Sequence, residues 1–352
     1  MKHIRYALTP QMLDYDSIGQ MWVPYLMYFH SPQYTSTALN TDSRGFRVTY
    51  KGADKIEDFK NIKDISFSIL VGGSQVFGVG ATHDKYTIPS IMNERSADLW
   101  LNFGGRAFSS TQEFQLFLFY YQHLKNIKKI VVMSGLNNLL LYYTSRNYSK
   151  ELGVFFFQSE YTKRMNQSQM CFKRKAMKFV LEPFLGTALD YGRISMEELK
   201  QRIFSKNPLS ISPKAGGEAS NKDDLLAVLE RDIINWKIFA KALNIEFHYV
   251  LQPMADWIKK NKSKEEAALF EALDCHQGPS WAAMKNKLNY ECYEWFNSKL
   301  QDICIRQGVN YFDMNRALSD MHLDGEWLFV DRAHCTNQGN ALISKILCER
   351  VI

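Results

Sequence analysis

An acid and an imidazole three residues apart, Asp331 and His334, and a distant hydroxyl, Ser74, are the chemistry-bearing side chains of this sequence. An imidazole accepts a hydroxyl proton only when one tautomer is held, and a carboxylate within reach holds it. In Val330-Asp331-Arg332-Ala333-His334-Cys335-Thr336 the two groups share one turn and project to one side. Ser74 follows Gly72-Gly73 at the expected end of a strand. A hydroxyl there sits by the N-terminus of the next helix, where free N–H groups and the helix dipole favour negative charge. Taken singly, these segments read first as a capping serine and a chance surface histidine.

Two more segments offer hydrogen-bond donors. In Gly135-Leu136-Asn137-Asn138 the Asn137 amide can donate to an oxyanion while Gly135 keeps the wall low. Helix capping by Asn137 or Asn138 is the plain alternative. The loop Asn102 to Gln112 contains Gly104-Gly105, and its backbone N–H groups can point into the same cleft or simply form a turn. In chain order the four segments are the parts of one serine-dependent acyl-transfer site. Trp281 and Trp327 are candidates for the cleft mouth, Trp327 lying four residues before Asp331.

The elements that must position these residues follow from pattern. Residues 1–63 read as an irregular, aromatic segment that closes over the site or packs on the core. From residue 64 strands and helices alternate. Strands are expected at Ile65 to Val71, Leu99 to Phe103, Lys129 to Met133, Glu246 to Leu251 and Val309 to Phe312. Helices are expected over residues 85–96, 110–124, 224–243, 263–273, 281–306 and 336–350, with one starting at Asn137. Residues 145–222 break the rhythm and read as a mostly helical insertion ending in a polar, Pro- and Gly-bearing stretch. Such alternation predicts a parallel sheet covered on both faces. Ligands then sit beyond the carboxyl ends of the strands, which brings all four segments to one edge.

Bulk composition excludes several classes. The chain has 352 residues, 46% hydrophobic and 14% aromatic, enough for a sizeable core. A net charge of +6 without a long basic block does not favour nucleic acid. The six cysteines show no C-x-x-C pair and read as scattered reduced thiols. No apolar stretch reaches the roughly 18 residues that a spanning helix needs. The first fifteen residues lack the apolar run of a signal peptide, and a cytoplasmic location is expected. The histidines make no metal-ligand spacing, so neither metal nor cofactor is expected.

In order, the segments resemble the blocks of the SGNH (GDSL-like) hydrolase superfamily. Gly72-Gly73-Ser74-Gln75-Val76 resembles the first block, with Gly73 where many members carry Asp. Asn102-Phe103-Gly104-Gly105-Arg106-Ala107 resembles the second, with Ala107 in place of the last glycine. Gly135-Leu136-Asn137-Asn138 resembles the third, with Asn138 for Asp. Asp331-Arg332-Ala333-His334, with Thr336 and Gly339-Asn340 after it, resembles the fifth. The likeness covers residues ~64–145 and ~245–352. It implies a flavodoxin-like three-layer α/β/α sandwich with a five-stranded, mostly parallel sheet. It makes Ser74 the nucleophile, His334 the general base and Asp331 its orienting carboxylate. The oxyanion hole would be Ser74 N–H, Ala107 N–H and the Asn137 side chain, with Gly73, Gly105, Gly135 and Trp327 contacting substrate. The nucleophile elbow Gly-x-Ser-x-Gly of α/β-hydrolases fails here because Val76 stands at its last position.

The first expectation is therefore an ester hydrolase acting on an acyl ester, with O-acetyl or other acyl groups of a carbohydrate or metabolite as candidates. An acyltransferase or thioesterase using the same triad competes with it, as does a binding protein with a decayed site. The aromatic stripe Trp22, Tyr25, Tyr28, Phe29 and Tyr34 either shields an acyl intermediate or packs in the core. The basic stretch Lys163, Arg164, Lys173, Arg174, Lys175 and Lys178 either docks an acidic acyl carrier protein or faces water.

Overall fold

The structure is a computed structural model. It describes residues 2–57, 62, 65–124, 126–145, 148–168, 221–276 and 285–352. Most of the expected insertion, the basic side chains from Lys173 to Lys178 and Trp281 lie outside the described residues.

The N-terminal segment holds two short helices, α1 (Lys2–Leu8) and α2 (Met12–Ser17), and two hairpins. Strand β1 (Gln20–Val23) pairs with β2 (Met27–His30), and β3 (Thr49–Lys51) pairs with β4 (Asp54–Ile56), both antiparallel. This corrects the irregular reading of residues 1–63. Strands of three or four residues show too few alternations to carry a period-2 signal.

The remaining chain builds the sheet and its covering helices. The elements are β5 (Phe67–Gly72), α3 (Ser74–Phe77), α4 (Ile88–Arg95), β6 (Leu99–Gly104), α5 (Ser110–Tyr120), β7 (Ile127–Ser134) and α6 (Leu136–Thr144). After the insertion come α7 (Lys222–Ala242), β8 (Glu246–Leu251), α8 (Lys264–His276), α9 (Tyr290–Gln307), β9 (Asn310–Asp313), α10 (Met314–Ser319) and α11 (Asn337–Arg350). The helix expected over 281–306 is broken: residues 285–287 are helical, a turn follows, and α9 begins at Tyr290, where the Asn289 side chain caps it by accepting from Cys292 N–H.

The five strands lie in the order β6-β5-β7-β8-β9, and all four neighbouring pairs are parallel. Every residue of β5 is buried, as a central strand covered on both faces requires. One face packs against a cluster that includes Phe117, Leu139, Trp236 and Phe296 from α5, α6, α7 and α9. The other packs against Met92, Leu269, Leu318 and Ile343 from α4, α8, α10 and α11. The result is an α/β/α sandwich. No helix among the described residues is long and apolar enough to cross a membrane.

Register aligns the working edge. Gly72 pairs with Gly104 on one side and Met133 on the other, Ser134 pairs with Leu251, and Leu251 with Asp313. The residues that follow β5, β6, β7 and β8 therefore leave the sheet side by side, above its carboxyl edge.

Candidate active site

Gly73 is the N-cap of α3, and Ser74 is its first residue. Between Val71 and Gly80 every residue is buried except Ser74. The helix lasts four residues and ends at Gly78 in the left-handed region, φ 91°. Strand β6 fits closely beneath it. A Cβ on Gly104 would lie 2.1 Å from Phe77 N, so only glycine allows this approach. Asn102 ties the two together, its Nδ2 donating to the Val76 carbonyl at 2.8 Å.

The segment 330–334 forms a closed turn, with Val330 N–H donating to the His334 carbonyl at 2.9 Å. Arg332, buried in the turn, pairs with Asp256 and Asp274, and its carbonyl accepts from Ala255 N–H at 2.9 Å. Glu266, itself fully buried, accepts from the N–H groups of Leu328 and Phe329 just before it. These bonds fix the turn to α8 and the loop after β8. Thr336 then caps α11 by accepting from Gly339 N–H.

The three side chains meet. His334 Nε2 lies 2.7 Å from Ser74 Oγ, and His334 Nδ1 lies 2.7 Å and 2.9 Å from the two carboxylate oxygens of Asp331. A carboxylate only accepts, so Nδ1 carries the ring proton and Nε2 is left to accept from the serine hydroxyl. Asp331 Oδ1 also accepts from the N–H groups of Ala333 and His334. Burial opposes the charged form of Asp331, but the His334 ring and these two N–H groups outweigh it and hold the carboxyl below the usual range.

The three expected donors also gather at this edge. Ser74 N–H, in the first turn of α3, and Ala107 N–H donate to no other described group. Ala107 adopts φ 57°, a left-handed conformation that side-chain-bearing residues rarely enter. One hydrogen of Asn137 Nδ2 goes to the Phe108 carbonyl at 2.8 Å, and the amide's second hydrogen remains for another acceptor. Gly105 N–H donates to the Gly72 carbonyl at 2.9 Å and stitches the loop to the end of β5.

Two of the residues expected to contact substrate are surrounded by packing. Gly135 faces the core, with Leu251, Leu300 and Phe296 as the nearest neighbours of a Cβ built there. The Trp327 ring packs on the apolar cluster of the α4–α11 face, and its Nε1 donates to the Phe329 carbonyl. Both serve packing, and no described hydrogen bond joins either to Ser74 or His334.

Several residues shape the site in ways the sequence reading did not assign. Gln252, just past β8, is 2% exposed, has no described side-chain partner, and places Oε1 3.8 Å from a Cβ built on Gly73. Asn138 holds the start of α5, accepting from Ser110 N–H and donating to Ser110 Oγ, which in turn donates to the buried Asp232 at 2.6 Å. His30 of β2 accepts from Arg106 N–H at 3.0 Å through Nε2, while Nδ1 meets the Gly45 carbonyl at 2.9 Å. Burial pushes this imidazole down to about 3, so it stays neutral. Tyr28, two residues earlier, donates to the Ala107 carbonyl at 2.5 Å. Among the described residues no three His, Cys, Asp or Glu side chains gather closely enough to hold a metal ion. Five cysteines are free thiols, and Cys171 lies outside the described residues. Of the basic stretch, Arg164 lies over the Trp22 ring at 5.8 Å.

No protein-family model matches the chain, and no curated protein matches it. Solved structures do. It is similar to the acetyl xylan esterase AlAXEase, with 10% identity and a TM-score of 0.40 over 81% of this chain and 99% of that one. An acetylxylan esterase from Geobacillus stearothermophilus aligns at 10% identity and TM-score 0.38, covering 83% and 96% of the two chains. An α/β hydrolase from the metagenome of Lake Arreo, Spain, aligns at 9% identity and TM-score 0.38, covering 81% and 94%.

Proposed function

We propose that this chain is a serine-dependent ester hydrolase of the SGNH type. The observation that carries the reading is the continuous line from Asp331 through His334 to Ser74, closed by the 2.7 Å contact between Nε2 and Oγ. Ser74 is the one residue of its segment that is not buried, and the His334 side chain is 20% exposed, which supports access of an ester carbonyl to both.

In this mechanism Ser74 Oγ attacks the ester carbonyl carbon while its proton passes to His334 Nε2. The carbonyl electron pair moves onto oxygen, facing Ser74 N–H, Ala107 N–H and Asn137 Nδ2. Asp331, charged at neutral pH, steadies the imidazolium. The tetrahedral adduct collapses, the C–O bond to the alcohol breaks, and the alcohol leaves with the proton from His334. Water then attacks the acyl-serine with His334 again taking a proton, which returns to Ser74 Oγ as the acid departs.

The substitutions that favour a decayed binding site have local explanations. Gly73 makes room for the Asn137 amide, Ala107 keeps its N–H, and Asn138 answers the hydrogen-bond needs of Ser110. The test is covalent. A fluorophosphonate is expected to label Ser74 in the folded chain, and Ser74→Ala is expected to abolish both labelling and hydrolysis of 4-nitrophenyl acetate. A Ser74→Ala protein with full turnover rejects the reading.

A further inference from the structure

We infer that His30 and Tyr28 of the N-terminal hairpin are positioning residues that aim the Ala107 N–H, an inference that rests on the proposed serine chemistry. The two side chains stand two apart on β2 and therefore share a face. That face meets the loop 105–108 from outside the sheet. His30 Nε2 holds the N–H on one side of the Arg106–Ala107 peptide, and Tyr28 OH holds the carbonyl of Ala107. With these groups held, the Ala107 N–H between them has a fixed direction in spite of its left-handed backbone.

His30 also spans both halves of the site. Its ring stacks on Phe77, the last residue of the nucleophile helix, with centroids 4.0 Å apart and an interplanar angle of 34°. One 2%-exposed imidazole thus touches the helix that carries Ser74 and the loop that carries the second oxyanion donor. Its tautomer is forced. Arg106 N–H needs an acceptor at Nε2, so Nδ1 bears the hydrogen and donates to the Gly45 carbonyl. Tyr28 is packed edge-on to Phe108, with centroids 5.6 Å apart, and Gln112 of α5 reaches back to the Leu26 carbonyl at 2.9 Å. The hairpin is thereby held to the loop along β2 and to α5 at its turn.

Two near-isosteric variants separate positioning from packing. Gln at position 30 can place an acceptor near the Nε2 site, and Asn can place a donor near the Nδ1 site. In the full chain, His30→Asn is expected to lose about 10- to 100-fold in kcat on 4-nitrophenyl acetate with KM within about threefold, since a donor misplaced by about 1 Å costs on that order. His30→Gln is expected to recover most of the rate. Tyr28→Phe, a milder change, is expected to lose about 3- to 10-fold. Amide hydrogen exchange over residues 104–109, which needs no catalysis, should quicken in His30→Asn and Tyr28→Phe but not in His30→Gln. The inference is overturned if His30→Asn keeps both wild-type kcat and wild-type exchange, or if Asn recovers the rate and Gln does not. Failure of the hydrolase reading shows separately, as a wild-type protein whose Ser74 takes up no fluorophosphonate while the exchange pattern still responds to position 30.

Discussion

A methyl group on Gly73 would lie 2.6 Å from the amide nitrogen of Asn137. The residue before Ser74 and the proposed third oxyanion donor thus share one small volume, which a side chain at 73 would fill. Gly73→Ala is expected to displace Asn137 and weaken its bond to Phe108. The proposed chemistry then loses on the order of 100-fold in kcat, the scale of one lost oxyanion donor. Steady-state kinetics with thermal unfolding checks this. Wild-type kcat in a folded Gly73→Ala protein removes Asn137 from the oxyanion hole.

Asp331→Asn tests the orienting carboxylate. The amide can still meet Nδ1, but it no longer demands a proton there or steadies the imidazolium, and kcat should fall by roughly 10⁴-fold. The carboxyl also couples stability to pH. Its folded pKa is depressed, so its contribution is complete above the unfolded value of about 3.9 and disappears as pH falls through the lower folded value. Urea midpoints of wild type and Asp331→Asn should therefore converge only in strong acid. A constant gap down to pH 2 contradicts the coupling.

Glu113 on α5 behaves in the opposite sense. It is 1% exposed, and burial pushes its carboxyl up to about 8. The unfolded chain ionises near pH 4.3, so stability declines from there until the folded group itself ionises near 8. Glu113→Gln removes that decline. Its melting temperature should exceed that of wild type by a few degrees at pH 8 and draw level near pH 4. Parallel curves for the two proteins rule out Glu113 as the source.

Asn138→Asp places a second acceptor against Ser110. The single hydroxyl proton of Ser110 already goes to Asp232, and Asn138 Nδ2 supplies the hydrogen that Ser110 Oγ accepts. A carboxylate at 138 has no hydrogen to supply and brings a second negative charge to Asp232. The variant should lose about 1–3 kcal/mol. Converting Asp232 to Asn in the same chain should recover part of it, which a double-mutant cycle in urea measures.

The buried strands were legible because their length and apolar run leave no competing structure. Phe67 to Gly72 is one uninterrupted buried segment, and Glu246–Leu251 begins and ends where the pattern places it. Three of the four segments were legible because they are turns after parallel strands, where glycines and short polar residues gather, and the fourth because its acid and imidazole stand three apart in one turn. What escaped was long-range support. Tyr28 and His30 meet the loop 79 and 76 residues away, and Asp232 meets Ser110 across 122. No local pattern distinguishes a tyrosine that clamps a distant carbonyl from one that fills a core. The packing around Gly135 and Trp327 escaped for the same reason: their neighbours in sequence belong to the candidate site, while the side chains nearest them come from distant parts of the chain.

The hydroxyl of Ser74 and the ring of His334 are separated by 260 positions in the chain. During synthesis the serine therefore emerges without its partner. On the proposed mechanism it gains its base only when the final loop has closed against α3, where Gln75 Nε2 meets Cys335 Sγ. A molecule interrupted before residue 334 would lack that base, so the proposed chemistry predicts a silent product of premature termination rather than an unregulated one.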